Sequence, residues 1–136
     1  MIFETKVAIV VLDDLAMWQK LNVTAFLATG IAGGAPDAMG EPYEDSAGRQ
    51  HARLLGQPIL IFAGAAESLR QAYRISIDQK LLRAVYVRAM FSTGYDAANR
   101  AVFKEEPADA PDLVGIALRG PKKVVDKATR GARLHR

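Results

Sequence analysis

The sequence predicts an α/β layer fold in a single domain spanning residues 1–136: a mixed, mostly parallel four-stranded sheet with helices on both faces. Three observations carry that expectation. Unbroken β-branched runs mark strands covered on both sides, and helical patterns alternate with them. The length of 136 residues, with 50% apolar and 24% charged, suits one core of ordinary composition.

Each element follows in order. "TKVAIVVL", Thr5 to Leu12, is the first strand. "QPILIFAG", Gln57 to Gly64, is the second, with Pro58 at the start, where a strand tolerates it. "LLRAVYVRAMF" and "PDLVGIALRG" supply the third and fourth. Between the first two, Trp18, Leu21, Ala25 and Ala28 recur at helical spacing and predict the apolar stripe of a first helix. Leu69, Ala72, Tyr73 and Ser76 do the same for a second. The order β-α-β-α-β, then an irregular or helical stretch, then β-α, is that of crossover connections. The connection from Gly30 to Gly56 is long and is expected to contain a short hairpin or helical turn, or to act as a flap. "GYDAANRAVFKEEPADAP" reads as a short helix that ends before Pro107.

Composition narrows the setting. No apolar run approaches the ~18 residues of a membrane span, so no membrane partner is expected. "MIFETKVAIVV" lacks a basic leader and reads as a strand and not as a signal peptide. The absence of cysteine excludes disulfides and thiolate chemistry and makes a cytoplasmic setting the expectation. His51 and His135 lack metal-ligand spacing, and no nucleotide loop or serine-hydrolase elbow is present, so neither metal nor cofactor is expected.

Charge is unevenly placed. Arg119 to Arg136 holds seven Lys or Arg against Asp126 alone, a local charge of +6, while the whole chain carries +3. Such a block attracts anions or serves solubility. In "RGPKKVVDKATRG", Gly120 and Pro121 form a helix start that puts Lys122 and Lys123 in the first turn, where the dipole disfavours cations. Free N–H groups beside two lysines make Lys122 and Lys123 a candidate anion site, the alternative being that both point into water.

The other candidates lie at strand ends, where α/β sheets bind ligands. Asp13 and Asp14 close the first strand and are candidate helix caps. Lys20 and Asn22 follow in the first turns of the helix, and Trp18 either packs under the loop or stacks on a substrate. "STGYDAANR" after the third strand offers Thr93, Asp96 and Asn99, with Thr93 or Asp96 as an alternative cap.

The segments "WQKLNVTAFLATGIA", "QPILIF", "GYDAANRA" and "LVGIALRGPKKVVDKATRGARLH" resemble, over nearly the full length, the bacterial family catalogued as domain of unknown function 2000. More distantly, "DLAMWQK" and "IALRGPKKVVDKATRGARLH" resemble type 2 peptidyl-tRNA hydrolases of the archaeal and eukaryotic kind. That second resemblance implies a compact α/β fold, frequent pairing into dimers, and hydrolysis of the ester joining a peptide to tRNA. It also implies a catalytic corner in which Lys20 stands near the family's helix-starting lysine, one residue off register, and Asp96 matches its acid. Departures are clear: the family's helix histidine has no counterpart, Arg100 stands where a threonine is expected, and Pro111 and Asp112 precede the last strand in place of a second threonine.

The expected function is therefore hydrolysis of an ester or amide, with Lys20 as electrostatic stabiliser, Asp96 as base or orienter and Asn22 as hydrogen-bond donor. The alternative is a noncatalytic module that binds a small anionic ligand or an RNA end in the same cleft. A homodimer is expected, with Trp18 and Met39 at its interface.

Overall fold

The computed structural model describes all residues, 1–136. Strand β1 (Thr5–Leu12) leads into α1 (Met17–Gly34), and the long connection follows. That connection holds both features considered for it: a 3-10 turn, Pro36–Ala38, and a hairpin of β2 (Tyr43–Glu44) and β3 (Gln50–His51). Next come β4 (Ile59–Gly64), α2 (Ala66–Asp78) and β5 (Leu82–Val87). A second 3-10 turn, Arg88–Ser92, precedes α3 (Asp96–Lys104), and β6 (Leu113–Pro121), α4 (Lys122–Ala128) and β7 (Arg133–Leu134) complete the chain.

The main sheet has five strands in the order β5-β6-β1-β4-β7. Only β1 and β4 run parallel; the β1–β6, β5–β6 and β4–β7 pairs are antiparallel. This corrects the expected mostly parallel, four-stranded sheet on two counts. An unbroken apolar run reports burial on both faces and not strand direction, so β6 reads like a parallel strand while lying antiparallel between β5 and β1. The fifth strand, β7, is two residues long and carries no periodicity to read.

Helix α1 packs across β6 and β5, whereas α2 and α4 pack against β6 and β1 from the other face. The core lies between these layers, with Val7 through Val11 and Val114, Ile116, Ala117 and Leu118 fully buried. Gly115 sets the approach of α1, because a Cβ there would sit 2.4 Å from Val23 and 3.0 Å from Leu27. No helix is long and apolar enough to cross a membrane.

The face of α1 that meets the sheet differs from the expected stripe. Val23, Leu27 and Ile31 are buried, while Trp18, Leu21 and Ala25 are exposed and Ala28 is partly so. Both sets recur at helical spacing, since α1 is apolar on two sides; tertiary packing selects one of them. The expected caps also differ. The helix begins at Met17, beyond the reach of Asp13 and Asp14, and the Gln19 carboxamide accepts from the Ala16 N–H at 2.9 Å.

Candidate functional site

A cleft of about 250 Å³ lies at the carboxyl end of β5, between the flank of α1 and the segment from Met90 to Asn99. Trp18, Asn22 and Phe26 enter it from α1 at i, i+4 and i+8, one row of the helix. Tyr86 enters from β5, where the register with β6 slips: Tyr86 lies opposite Gly115 and Val87 opposite Leu113, leaving Val114 unmatched. Such a bulge bends the strand and re-aims its side chains. The Asn22 carboxamide donates to the Tyr86 hydroxyl at 3.4 Å.

The walls are aromatic. Trp18 meets Phe91 edge-on with ring centroids 5.9 Å apart, Phe91 meets Tyr86 at 5.4 Å, and Tyr86 meets Phe26 at 6.0 Å. These are separations at which rings attract. Trp18 is 62% exposed and does not pack under the preceding loop, so its free face borders the cleft. Burial raises the pKa of the Tyr86 phenol, with the Asn22 hydrogen bond acting against the rise, so Tyr86 enters as a neutral hydroxyl at physiological pH.

Polar groups are few. The Thr93 hydroxyl bridges the Met90 carbonyl and the Asn99 carboxamide. Asp96 is the only carboxylate in the lining; it is the first residue of α3 and pairs with Arg100 one turn later. Neither Thr93 nor Asp96 caps α3, whose N-cap position is taken by Tyr95. A second cleft of about 260 Å³ shares Phe26, Tyr86, Met90, Asp96 and Asn99 with the first and continues it towards Arg100 and Phe103.

Of the three residues expected to converge, Asn22 and Asp96 line this cleft and Lys20 does not. Residues two apart on a helix point about 200° from each other, so Lys20 and Asn22 leave α1 on different flanks. Lys20 reaches over the ends of β1 and β4, with its ammonium 3.3 Å from His135 Nε2. An ammonium only donates, so Nε2 accepts and the ring proton sits on Nδ1, which faces the Arg136 carbonyl at 2.8 Å. Beside it Arg133 donates two hydrogen bonds to Asp13, at 2.7 and 2.9 Å. That fork, foremost, holds the Asp13 carboxyl below its ordinary pKa against the opposing effect of desolvation, with the charges of Arg133 and Lys20 adding to it. Sequence reading missed this contact between Asp13 and the last strand; 120 residues separate the partners, and no local pattern reports the pairing.

Lys122 and Lys123 start α4 at the opposite end of β1, where Thr5 pairs with Pro121. Both are exposed. The Lys122 N–H is already used, donating to the Glu4 carbonyl at 3.1 Å. Within the basic block from Arg119 to Arg136, Arg133 is engaged with Asp13.

Residues 5–136 match the family model described as protein of unknown function (DUF2000). The chain belongs to the DUF2000 family. A solved structure, that of a protein of unknown function from Agrobacterium tumefaciens strain C58, is 47% identical and superposes with a TM-score of 0.94, covering 99% of this chain and 100% of that one. No curated protein matches the chain. The DUF2000 assignment thus fixes the fold and its extent, and the chemistry of the site has to be argued from the residues themselves.

Proposed function

We propose that this protein is a binding module that holds an RNA end, or another small anionic ligand bearing a flat ring, in the cleft between α1 and α3. One observation carries the reading: an arc of four aromatic rings surrounds two carboxamides, Asn22 and Asn99, while the one carboxylate is tied to an arginine and Lys20 lies on the other flank. Rings stack on any base at ~1–3 kcal/mol each, and carboxamides present both donors and acceptors to a base edge. Arg100, which lines the second cleft and pairs with Asp96, supplies a cation for a phosphate or carboxylate.

The test uses the chain's single tryptophan. Titration with adenosine monophosphate and with a short single-stranded RNA is expected to quench Trp18 fluorescence. Calorimetry on Trp18→Ala is expected to show a loss of ~1–3 kcal/mol, and on Asn22→Ala about 1 kcal/mol. No binding of either probe at millimolar concentration and low salt rejects the reading. For RNA, a log-log salt slope of roughly −0.7 per neutralised phosphate measures the electrostatic share. Joint Lys122→Glu and Lys123→Glu changes then report whether the strand extends to the far end of β1. Equal losses from the same charge change at Arg74 and Lys80 mean diffuse attraction only.

A second reading is supported by the position of Asp96 at the cleft and by the resemblance to type 2 peptidyl-tRNA hydrolases. In it the protein is a cytoplasmic hydrolase of an ester or amide, with Asp96 as base or orienter and Asn22 as hydrogen-bond donor. Turnover of N-acyl-aminoacyl-tRNA that is lost in both Asp96→Asn and Asn22→Ala supports this version. No turnover, or turnover unchanged in those variants, rejects it.

A further inference from the structure

Helix α1 runs 18 residues with a single charge, Lys20, which is drawn to His135. An apolar helix face is normally buried, yet one of the two apolar faces of α1 is open. Met17, Trp18 and Leu21 are 65%, 62% and 64% exposed, and Ala25 is exposed in line with them. The other helices differ. Helix α2 turns Glu67, Arg70, Arg74 and Asp78 outward, α3 has Asp96, Arg100 and Lys104 exposed, and α4 has Lys122, Lys123, Asp126 and Lys127 exposed.

We propose that the outward face of α1 is covered by the same face of a second copy of this chain, in a two-fold pair whose α1 helices cross antiparallel near Ala25. Size complementarity gives the direction. The ridge is large in its first half, at Met17, Trp18 and Leu21, and small in its second, at Ala25, Ala28 and Ala32. Beside the small half lies a cleft of about 470 Å³ lined by Ala28, Ala32, Met39, Leu54 and Leu55 together with Arg53, whose guanidinium donates to the Gly40 and Met39 carbonyls, and Leu54 is 58% exposed. Antiparallel crossing sets the large half of each copy against the small half and cleft of the other, twice, as a closed two-fold pair requires. A parallel crossing sets bulk on bulk. With no charge on the ridge, a charged partner has nothing to pair with, and the only helix face of matching chemistry on the chain is α1 itself. Met17, Trp18, Leu21 and Leu54 with the intervening alanines leave roughly 500 Å² of apolar surface, the upper range for a monomer's largest patch. That is more than half of the ~800 Å² per partner that a stable pair buries.

The absence of native cysteine makes a clean experiment possible. Sedimentation velocity of the full chain from 1 to 100 μM is expected to show a species of twice 14.8 kDa, and Leu21→Glu to return it to the monomer with an unchanged circular dichroism spectrum. Under mild oxidation, Ala25→Cys is expected to form a covalent dimer, because the two positions meet at the axis, while Glu67→Cys on α2 stays monomeric. The cross-link reads the same face should Leu21→Glu fail to fold. A monomer throughout the range overturns the proposal. So does a dimer that persists in Leu21→Glu with no cross-link at Ala25, which places the interface elsewhere. A monomer that floats with phosphatidylcholine vesicles overturns it in favour of a lipid surface.

Discussion

Helices α1 and α2 follow the two parallel strands and pack on opposite faces of one sheet, yet they are built differently. Helix α2 is amphipathic: Leu69, Ala72 and Ser76 are buried, and Glu67, Arg70, Arg74 and Asp78 face water. Its sequence names its buried face without ambiguity. Helix α1 has Val23, Leu27 and Ile31 inside and Trp18, Leu21 and Ala25 outside. The hydrophobic effect alone does not choose between those faces. Shape does, since Gly115 admits Val23 and Leu27 to the sheet where any side chain would block them. The lesson is that α2 is specified by its own residues and α1 by its neighbour.

The contrast can be tested from its largest expected effect downward. Leu27→Ala, inside α1, and Leu69→Ala, inside α2, should each cost ~2–5 kcal/mol in denaturant unfolding. Leu21→Ala and Arg74→Ala, on the outer faces, should stay within about 0.5 kcal/mol for the monomer. An equal loss at Leu21 and Leu27 in a monomeric sample would break the two-faced description of α1. Gly115→Ala should come next, at ~1–3 kcal/mol, because the added methyl overpacks against Val23 and Leu27. A neutral result there would mean that α1 is free to retreat from β6.

Smaller effects involve exposed carboxylates. The Asp13 carboxyl, held low first by the hydrogen bonds from Arg133, favours the folded state above its ordinary pKa of 3.8 and loses that contribution as pH falls below it. Protection factors of the β7 amides, in which the intrinsic pH dependence of exchange is divided out, should therefore be lower at pH 3 than at neutral pH, and Asp13→Asn should lower them at neutral pH. Asp45 in the hairpin is lowered to about 2, foremost by the hydrogen bond with His51 and then by those from Arg49. Its bonds should persist from neutral pH down through 3.8 and break as pH approaches 2, which the His51 and Arg49 resonances would report while the rest of the sheet stays unmoved.

Legibility in the sequence followed the range of the interactions. The valine and isoleucine runs of β1, β4 and β6 announce themselves because burial on both faces leaves no polar residue in register. Their directions are not written there, since Val114 to Leu118 would look the same in either orientation. Asn22 and Asp96 are legible because each lies in the first two turns of a helix that follows a strand, a local signature. Lys20 was placed with them by proximity in sequence, and the helical twist separates it from Asn22. Tyr86, Phe91 and Tyr95 were not singled out, because an aromatic residue at a strand end reads as core until the bulge at Tyr86 and Val87 is known.

The shortest strand has a consequence for handling the protein. Leu134 and Arg133 pair with Phe62 and Ala63, and the His135 N–H donates to the Ile61 carbonyl at 2.8 Å, so these last residues close the open border of β4. A chain clipped after Ala132 would keep α4 but present Ile61 to Ala63 as a bare, apolar template for other chains to add to. Carboxypeptidase trimming or a bulky C-terminal tag is thus expected to turn a well-behaved sample into a slowly precipitating one, whereas Met1, fully exposed, is the terminus to which a handle belongs.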